Sequence, residues 1–367
     1  MNAAVKFPFF IKISILLVGI YVFFSMLSVA GGIILPILYA LIIAILVSPV
    51  VKFLVRRGMN RTVSILLVLI LSILFIASAF ILVLSQASLL VDALPQLIDK
   101  FQMLLSQAVS WVSMYFNISV ELINEWITSA KVDILSKRNA AIGFTLTTVG
   151  GLFTTVFLTP VYIFMLLFYQ PHLVESIHRL FGSNNNIKVS EILVETKSII
   201  QSYLVGLFLE FLIIASLNST GLLILGMDYA ILLGIVGALL NVIPYLGGLM
   251  AVILYMIIAL VTKEPVYVIY VLSLYLLVQF VDNNYIVPKI VGSKVKLNAL
   301  VCLLVVISGA FLWGIPGMFL AIPLLAIVKL ILDRITELKP LGFLLGDTMP
   351  PIIKLYKSKK PADTGIS

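Results

Sequence analysis

The sequence predicts an all-α, polytopic integral membrane protein with about six full spans and two re-entrant helical hairpins in an inverted-repeat outline. Three observations predict it. The chain is 62% hydrophobic and 11% charged, with a mean hydropathy of +1.21, and several apolar runs reach bilayer-spanning length. Two long apolar stretches in the second half are broken by proline and glycine at what should be membrane depth. The basic residues are gathered between the apolar runs, so they give an orientation.

In a soluble chain the formal charge of +8 would suggest nucleic acid; here it is read as topology. Lys6 and Lys12 precede the first run, Lys52, Arg56, Arg57 and Arg61 follow the second, and Arg179, Lys188 and Lys197 follow the fourth. Lys289, Lys294 and Lys296 form another cluster, and Lys329, Arg334, Lys339, Lys354, Lys357, Lys359 and Lys360 gather at the end. Placing these clusters inside predicts a multi-pass protein of the cytoplasmic (inner) membrane with both termini cytoplasmic, with lipid as its surroundings and no nucleic-acid partner. Only Lys100, Lys131, Lys137, Arg138 and Lys263 then fall elsewhere.

In chain order, residues 13–30 and 33–51 form two spans joined at Gly31-Gly32, and 62–84 form a third. Ser28-Val29-Ala30 looks like a signal-peptidase site, but the apolar segment is long and a second span follows at once, which favours an uncleaved span. Together these make an N-terminal three-span region, 1–85. Residues 86–145 change character. Leu90, Leu94, Leu97, Phe101, Leu104, Ala108, Trp111 and Tyr115 recur at spacings of three and four, with polar residues between them, which predicts an extracytoplasmic amphipathic helix. Val120, Ile123, Ile127 and Ala130 begin a shorter one. Lying on the membrane surface, pairing with another subunit, covering an exit and packing on the protein's own spans all remain open for them.

Residues 146–197 hold the fourth span, 146–169, and a cytoplasmic amphipathic segment with a turn at Gly182-Ser183-Asn184-Asn185-Asn186. The core, 198–335, opens with a fifth span over 198–226. Asn241-Val-Ile-Pro-Tyr-Leu-Gly-Gly248 then reads as a hairpin tip, since Pro244 lacks an N–H and Gly247 and Gly248 favour a tight turn. Its arms have about 14 or 15 residues, about 21 to 23 Å, short of a hydrocarbon core of about 30 Å. That favours a hairpin dipping in from outside over two full crossings, with an ordinary loop between short spans as the alternative. Residues 266–286 form the sixth span. Residues 297–332, broken at Trp313-Gly314-Ile315-Pro316-Gly317, read as a second hairpin entering from the cytoplasm, and 336–367 as a cytoplasmic tail.

Polar groups in apolar spans are expensive, which narrows the pathway candidates. Glu210 is the sharpest, near the middle of the fifth span, where a carboxyl suits proton uptake and release. Asn218 lies on the same helix, Asn241 beside the first tip, and Gln279, Asp282 and Asn283 together near the end of the sixth span. The backbone breaks at Pro244, Gly247, Gly248, Gly314, Pro316 and Gly317 complete the substrate or ion pathway set. Plain interhelical hydrogen bonding is the alternative for the amides. Asp228 and Lys329 lie nearer the interfaces, where snorkelling or capping accounts for them.

Catalytic and metal residues are not expected. The chain has a single cysteine, Cys302, and two histidines, His172 and His178, spaced six apart and so not stacked on one helix face. Gly226-Met227-Asp228 is only superficially like an intramembrane aspartyl-protease motif, and there is no Gly-x-Ser-x-Gly elbow, P-loop or His-Glu-x-x-His helix. An enzyme, a cofactor and an ATP-driven pump are therefore not predicted.

The fifth span ending at Gly226, the Ile243-Pro244-Tyr245-Leu246-Gly247-Gly248 motif, Asp282-Asn283 with Pro288-Lys289 and Gly292, and Trp313-Gly314-Ile315-Pro316-Gly317 before Ala321-Ile322-Pro323 together resemble the autoinducer-2 exporter family. The resemblance covers residues 10 to 340. It implies a permease-like transporter that assembles as a homo-oligomer, a pentamer by the same resemblance, with members associated with autoinducer-2 export and some with sodium or lithium exchange for protons. This chain departs from it at Gly206-Leu207-Phe208 followed by Glu210, where many members carry Gln, and at Leu297-Asn298-Ala299, where many carry Pro. The leading expectation is a secondary transporter exporting a small polar organic solute, with autoinducer-2 a candidate, driven by an ion gradient. Two alternatives stand beside it: a monovalent cation/proton antiporter, and a non-transport oligomeric scaffold built on 86–145.

Overall fold

The computed structural model describes residues 8–181, 186–243, 246–291 and 297–347. Ten α-helices account for most of them: α1 Phe9–Val29, α2 Gly31–Arg56, α3 Arg61–Phe116, α4 Val120–Phe181, α5 Asn186–Ile224, α6 Ala230–Asn241, α7 Leu246–Thr262, α8 Tyr267–Val281, α9 Ala299–Arg334 and α10 Lys339–Leu345. A π-helix, Asp282–Val291, continues α8, and there is no strand among the described residues. Among the described residues six helices are long and apolar enough to cross a membrane: α1, α2, α3, the 157–181 part of α4, α5 and α9. Large apolar side chains such as Leu16, Ile76 and Phe311 stand exposed on them, as expected where lipid is the solvent.

The helices run longer than the sequence pattern predicts. The third span and the amphipathic helix after it form one 56-residue helix, α3, about 84 Å long at the helical rise. The pattern changes there from apolar all round to apolar on one face, and no breaker separates the two parts; Pro95 is accommodated within the helix. The second amphipathic helix and the fourth span likewise merge into α4, and the amphipathic stretch before the fifth span is the first part of α5. Of the predicted loop at 182–186, residues 182–185 lie outside the described residues. Helices α1 and α2 meet at Ala30, one residue earlier than predicted, with Gly31 and Gly32 already helical. Short links close the N-terminal half. Gly58 at φ 91° turns α2 into α3, whose first turn is capped by the Asn60 side chain accepting from the Thr62 N–H at 3.0 Å. Asn117 at φ 53° ends α3.

Prolines inside these helices free carbonyls, and neighbouring helices satisfy two of them. Pro49 cannot donate to the Ile45 carbonyl of α2, and Gln201 Nε2 on α5 donates to it at 2.6 Å. Pro171 leaves the Leu167 carbonyl of α4 without its helical donor, and Arg61 Nη2 on α3 fills the place. In hydrocarbon such side-chain donors replace the water that a soluble helix would use.

α6 and α7 form the first hairpin, with α6 packed along α5. Small residues let the backbones close: a Cβ on Gly234 would strike Ser219 of α5, and one on Gly237 would strike the Tyr255 ring of α7. Lys263 and Asp228 pair at 3.7 Å across the open end, so both charges serve that end rather than a site. In α9 the helix breaks at Trp313 (φ −141°, ψ 16°) and Gly314 (φ 65°, ψ −144°), within the predicted interruption. The chain reverses there, because the Gly309 and Gly317 backbones touch, and an unbroken helix would hold residues eight apart about 12 Å from each other. At the foot, the Asn298 N–H donates to the Leu345 carbonyl at 2.9 Å, Lys329 pairs with Asp333, and Arg334 pairs with Glu191 and Glu195 of α5.

Candidate functional site

The densest buried polar grouping forms where α5, the first hairpin tip, α8 and the π-helix meet. Asp282 is 1% exposed although it is a carboxylate inside an apolar bundle. Asn241, the last residue of α6, donates from Nδ2 to Asp282 Oδ2 at 3.0 Å. Asp282 Oδ1 has no hydrogen-bond partner among the described residues. A buried acceptor left open is the kind of group that native structures seldom leave without a purpose.

Gly248 faces the same place. A Cβ built on it would stand 2.6 Å from the Tyr275 hydroxyl, 3.2 Å from Asn241 Oδ1 and 3.3 Å from Gln279 Oε1, so glycine lets the tip backbone approach these groups without displacing them. Tyr275, Gln279, Asp282 and Asn283 lie on one side of the helix because they follow spacings of four, three and one, and Gln279 Nε2 donates to Asn283 Oδ1 at 3.2 Å. The turn to π geometry at Asp282 adds a local distortion of the kind often found at functional sites. Glu210 on α5, 9% exposed, lies within electrostatic reach of Asp282 and of Tyr203. Tyr275 is within electrostatic reach of Asp282 and of Tyr255, whose buried hydroxyl is another group without a partner among the described residues.

A cavity of about 460 Å³ opens between α5 and the π-helix, lined by Gln201, Ser202, Gly206, Leu209 and Lys289 among others. Gly206 is one helical turn before Glu210. The cavity reaches Leu209, next to Glu210 in the chain, while neither Glu210 nor Asp282 is among its lining residues.

The predicted residues divide as follows. Glu210, Asn241, Gly248, Gln279 and Asp282 are brought together, and Asn283, itself exposed, joins them through Gln279. Gly247 packs against the Leu240 carbonyl within the hairpin, and Asn218 is buried about two turns beyond Glu210 along α5. Pro244 and Tyr245 lie outside the described residues. Gly314, Pro316 and Gly317 do not join the cluster: α9 packs on α1, α5 and α10, not along the first hairpin. The second tip is instead closed by the N-terminal helices, with Trp313 Nε1 donating to the Leu27 carbonyl at 3.0 Å and the Tyr39 hydroxyl to the Pro316 carbonyl at 3.2 Å. Tyr203, Tyr255 and Tyr275 were not singled out from the sequence; Tyr275 was legible as the first member of the polar stripe on α8. No group of three or more His, Cys, Asp or Glu residues comes together among the described residues.

A bundle of membrane-length helices enclosing acids, amides and tyrosines beside a broken hairpin defines a polytopic helical membrane protein built around a buried polar site. The chain belongs to the AI-2E transporter family, whose model matches residues 10–337. It is 29% identical over 319 residues to YueF of Bacillus subtilis (strain 168), named as a transport protein, covering 83% of this chain and 84% of YueF. It is 26% identical over 342 residues to the AI-2 transport protein TqsA of Escherichia coli (strain K12), covering 92% and 96% of the two chains. PerM of the same organism, named as a permease, is 26% identical over 325 residues, with 86% and 89% covered. The family is one of transport proteins.

Proposed function

We propose that this chain is a secondary exporter of a small polar organic solute, coupled to an ion gradient across the cytoplasmic membrane, with both termini inside. The observation that carries the reading is the buried Asp282–Asn241 pair with Oδ1 of Asp282 unclaimed, set beside Glu210 and the glycine backbone of a hairpin tip. Amides, hydroxyls and an open carboxylate oxygen suit a polyhydroxylated solute, which offers donors in several directions. Autoinducer-2 is the leading candidate, since TqsA is named for its transport. In this reading both hairpins are re-entrant and form an inverted repeat, and only the first tip handles the solute. A homo-oligomer, with the distal parts of α3 and α4 as its contact arms, completes the proposal.

A second reading is favoured by the two carboxyl groups themselves. Glu210 and Asp282 within electrostatic reach of each other suit exchange of a monovalent cation for protons, because each bound charge relieves the repulsion of the other carboxylate.

Flux into inside-out vesicles separates the readings. Autoinducer-2 uptake that collapses in Glu210→Gln and Asp282→Asn supports the exporter with these acids as its coupling groups. Sodium-evoked proton release without organic solute, lost in the same variants, supports the antiporter. Full flux of both kinds in both variants contradicts a role for the pair.

A further inference from the structure

A second cavity, of about 600 Å³, lies among the ends of α2, α3 and α4 and is separate from the polar cluster. Its walls include Ser48, Lys52, Arg56, Arg61, Gln170 and Glu175. Glu175 is the only acid in the lining, and it accepts from Arg179 Nε at 2.9 Å. None of Lys52, Arg56 and Arg61 forms an ion pair among the described residues, and Lys197 of α5 reaches in beside Lys52, with its Nζ 3.5 Å from Ser48 Oγ.

Pro171 lies in the α4 wall of the cavity, and Arg61 is held across the gap by the Leu167 carbonyl, which that proline leaves without its helical donor. The Arg61 guanidinium keeps further N–H donors beyond the bond it spends there. The cations converge at the end of an apolar bundle, and Val50 and Phe53, 51% and 52% exposed, cover the adjoining outer surface of α2. Headgroup charge and acyl chain meet at this depth in a bilayer, and basic pockets between helix ends are a recurrent means of holding anionic lipid.

We propose that this cavity binds the phosphate of an anionic phospholipid, with Lys52, Arg56 and Arg61 on the headgroup and the Val50–Phe53 surface against its acyl chains. Free inorganic phosphate shares the headgroup chemistry but not the acyl contact, so the two sources separate by experiment.

The test is native mass spectrometry of the full chain in detergent, titrated with phosphatidylglycerol, phosphatidylcholine and inorganic phosphate in separate arms. Wild-type protein is expected to retain phosphatidylglycerol in preference to the other two. Arg56→Gln should lower its binding about fivefold, and Lys52→Gln with Arg56→Gln more than about tenfold. Lys339→Gln on α10, away from the cavity, should leave it unchanged. The single variant keeps the test valid if the double variant does not assemble. Equal phosphatidylglycerol binding by wild type and Arg56→Gln, or phosphate alone bound as tightly as the lipid, overturns the proposal.

Discussion

At the tip of the α6–α7 hairpin, Asn241 and Gly248 stand among Tyr275, Gln279 and Asp282; at the tip of the α9 hairpin, Trp313 and Pro316 stand against Leu27, Gly31 and Tyr39. Both interruptions carry proline and glycine in the sequence. What differs is the neighbour. The first meets side chains with capacity to spare, including an unclaimed Asp282 oxygen, while the second has its exposed donor and acceptor taken up by α1 and α2. A helix break supplies the opportunity for a site, and the packing around it decides between binding and bracing.

Substitutions can break or sharpen this contrast. The largest expected effect is at the bracing tip. Gly317→Leu puts a side chain into the Gly309 backbone, which cannot yield as a flexible side chain can, and should cost about 3 kcal/mol or more. Fluorescence-detected size-exclusion chromatography should show little intact protein, and a normal profile would mean that the two backbones are not locked. At the binding tip, Gly248→Ala places a methyl against the movable ends of Tyr275, Asn241 and Gln279. The fold should survive with a melting temperature within a few degrees of wild type, while solute flux falls about fivefold, near 1 kcal/mol. Trp313→Phe is the mildest. It removes one hydrogen bond to the Leu27 carbonyl, costing about 1 kcal/mol, and should lower the melting temperature by a few degrees with flux per folded molecule unchanged.

How far the sequence speaks for itself can be judged at the same two tips. Hydropathy and punctuation located both interruptions and the terminator at Gly226, since proline and glycine act locally. Glu210, Asn241, Gln279, Asp282 and Asn283 were legible as polar residues in apolar runs. That α5 lies between the hairpins, and that Trp313 reaches back 286 residues to Leu27, depends on long-range packing that no local pattern encodes. Helix ends were misjudged where amphipathic and apolar stretches share one phase: Arg61–Phe116 carries no interruption that would end it. The partners of Ile45 and Leu167 were hidden for the same reason. A proline announces a free carbonyl but not which neighbouring helix will answer it.

The most direct measurement compares solute flux in Asp282→Asn and Trp313→Phe, reconstituted at equal amounts of folded protein. A fall of about tenfold or more in the first and wild-type flux in the second is the predicted result. Full flux in Asp282→Asn, or loss confined to Trp313→Phe, would place the working groups at the other hairpin and contradict the assignment.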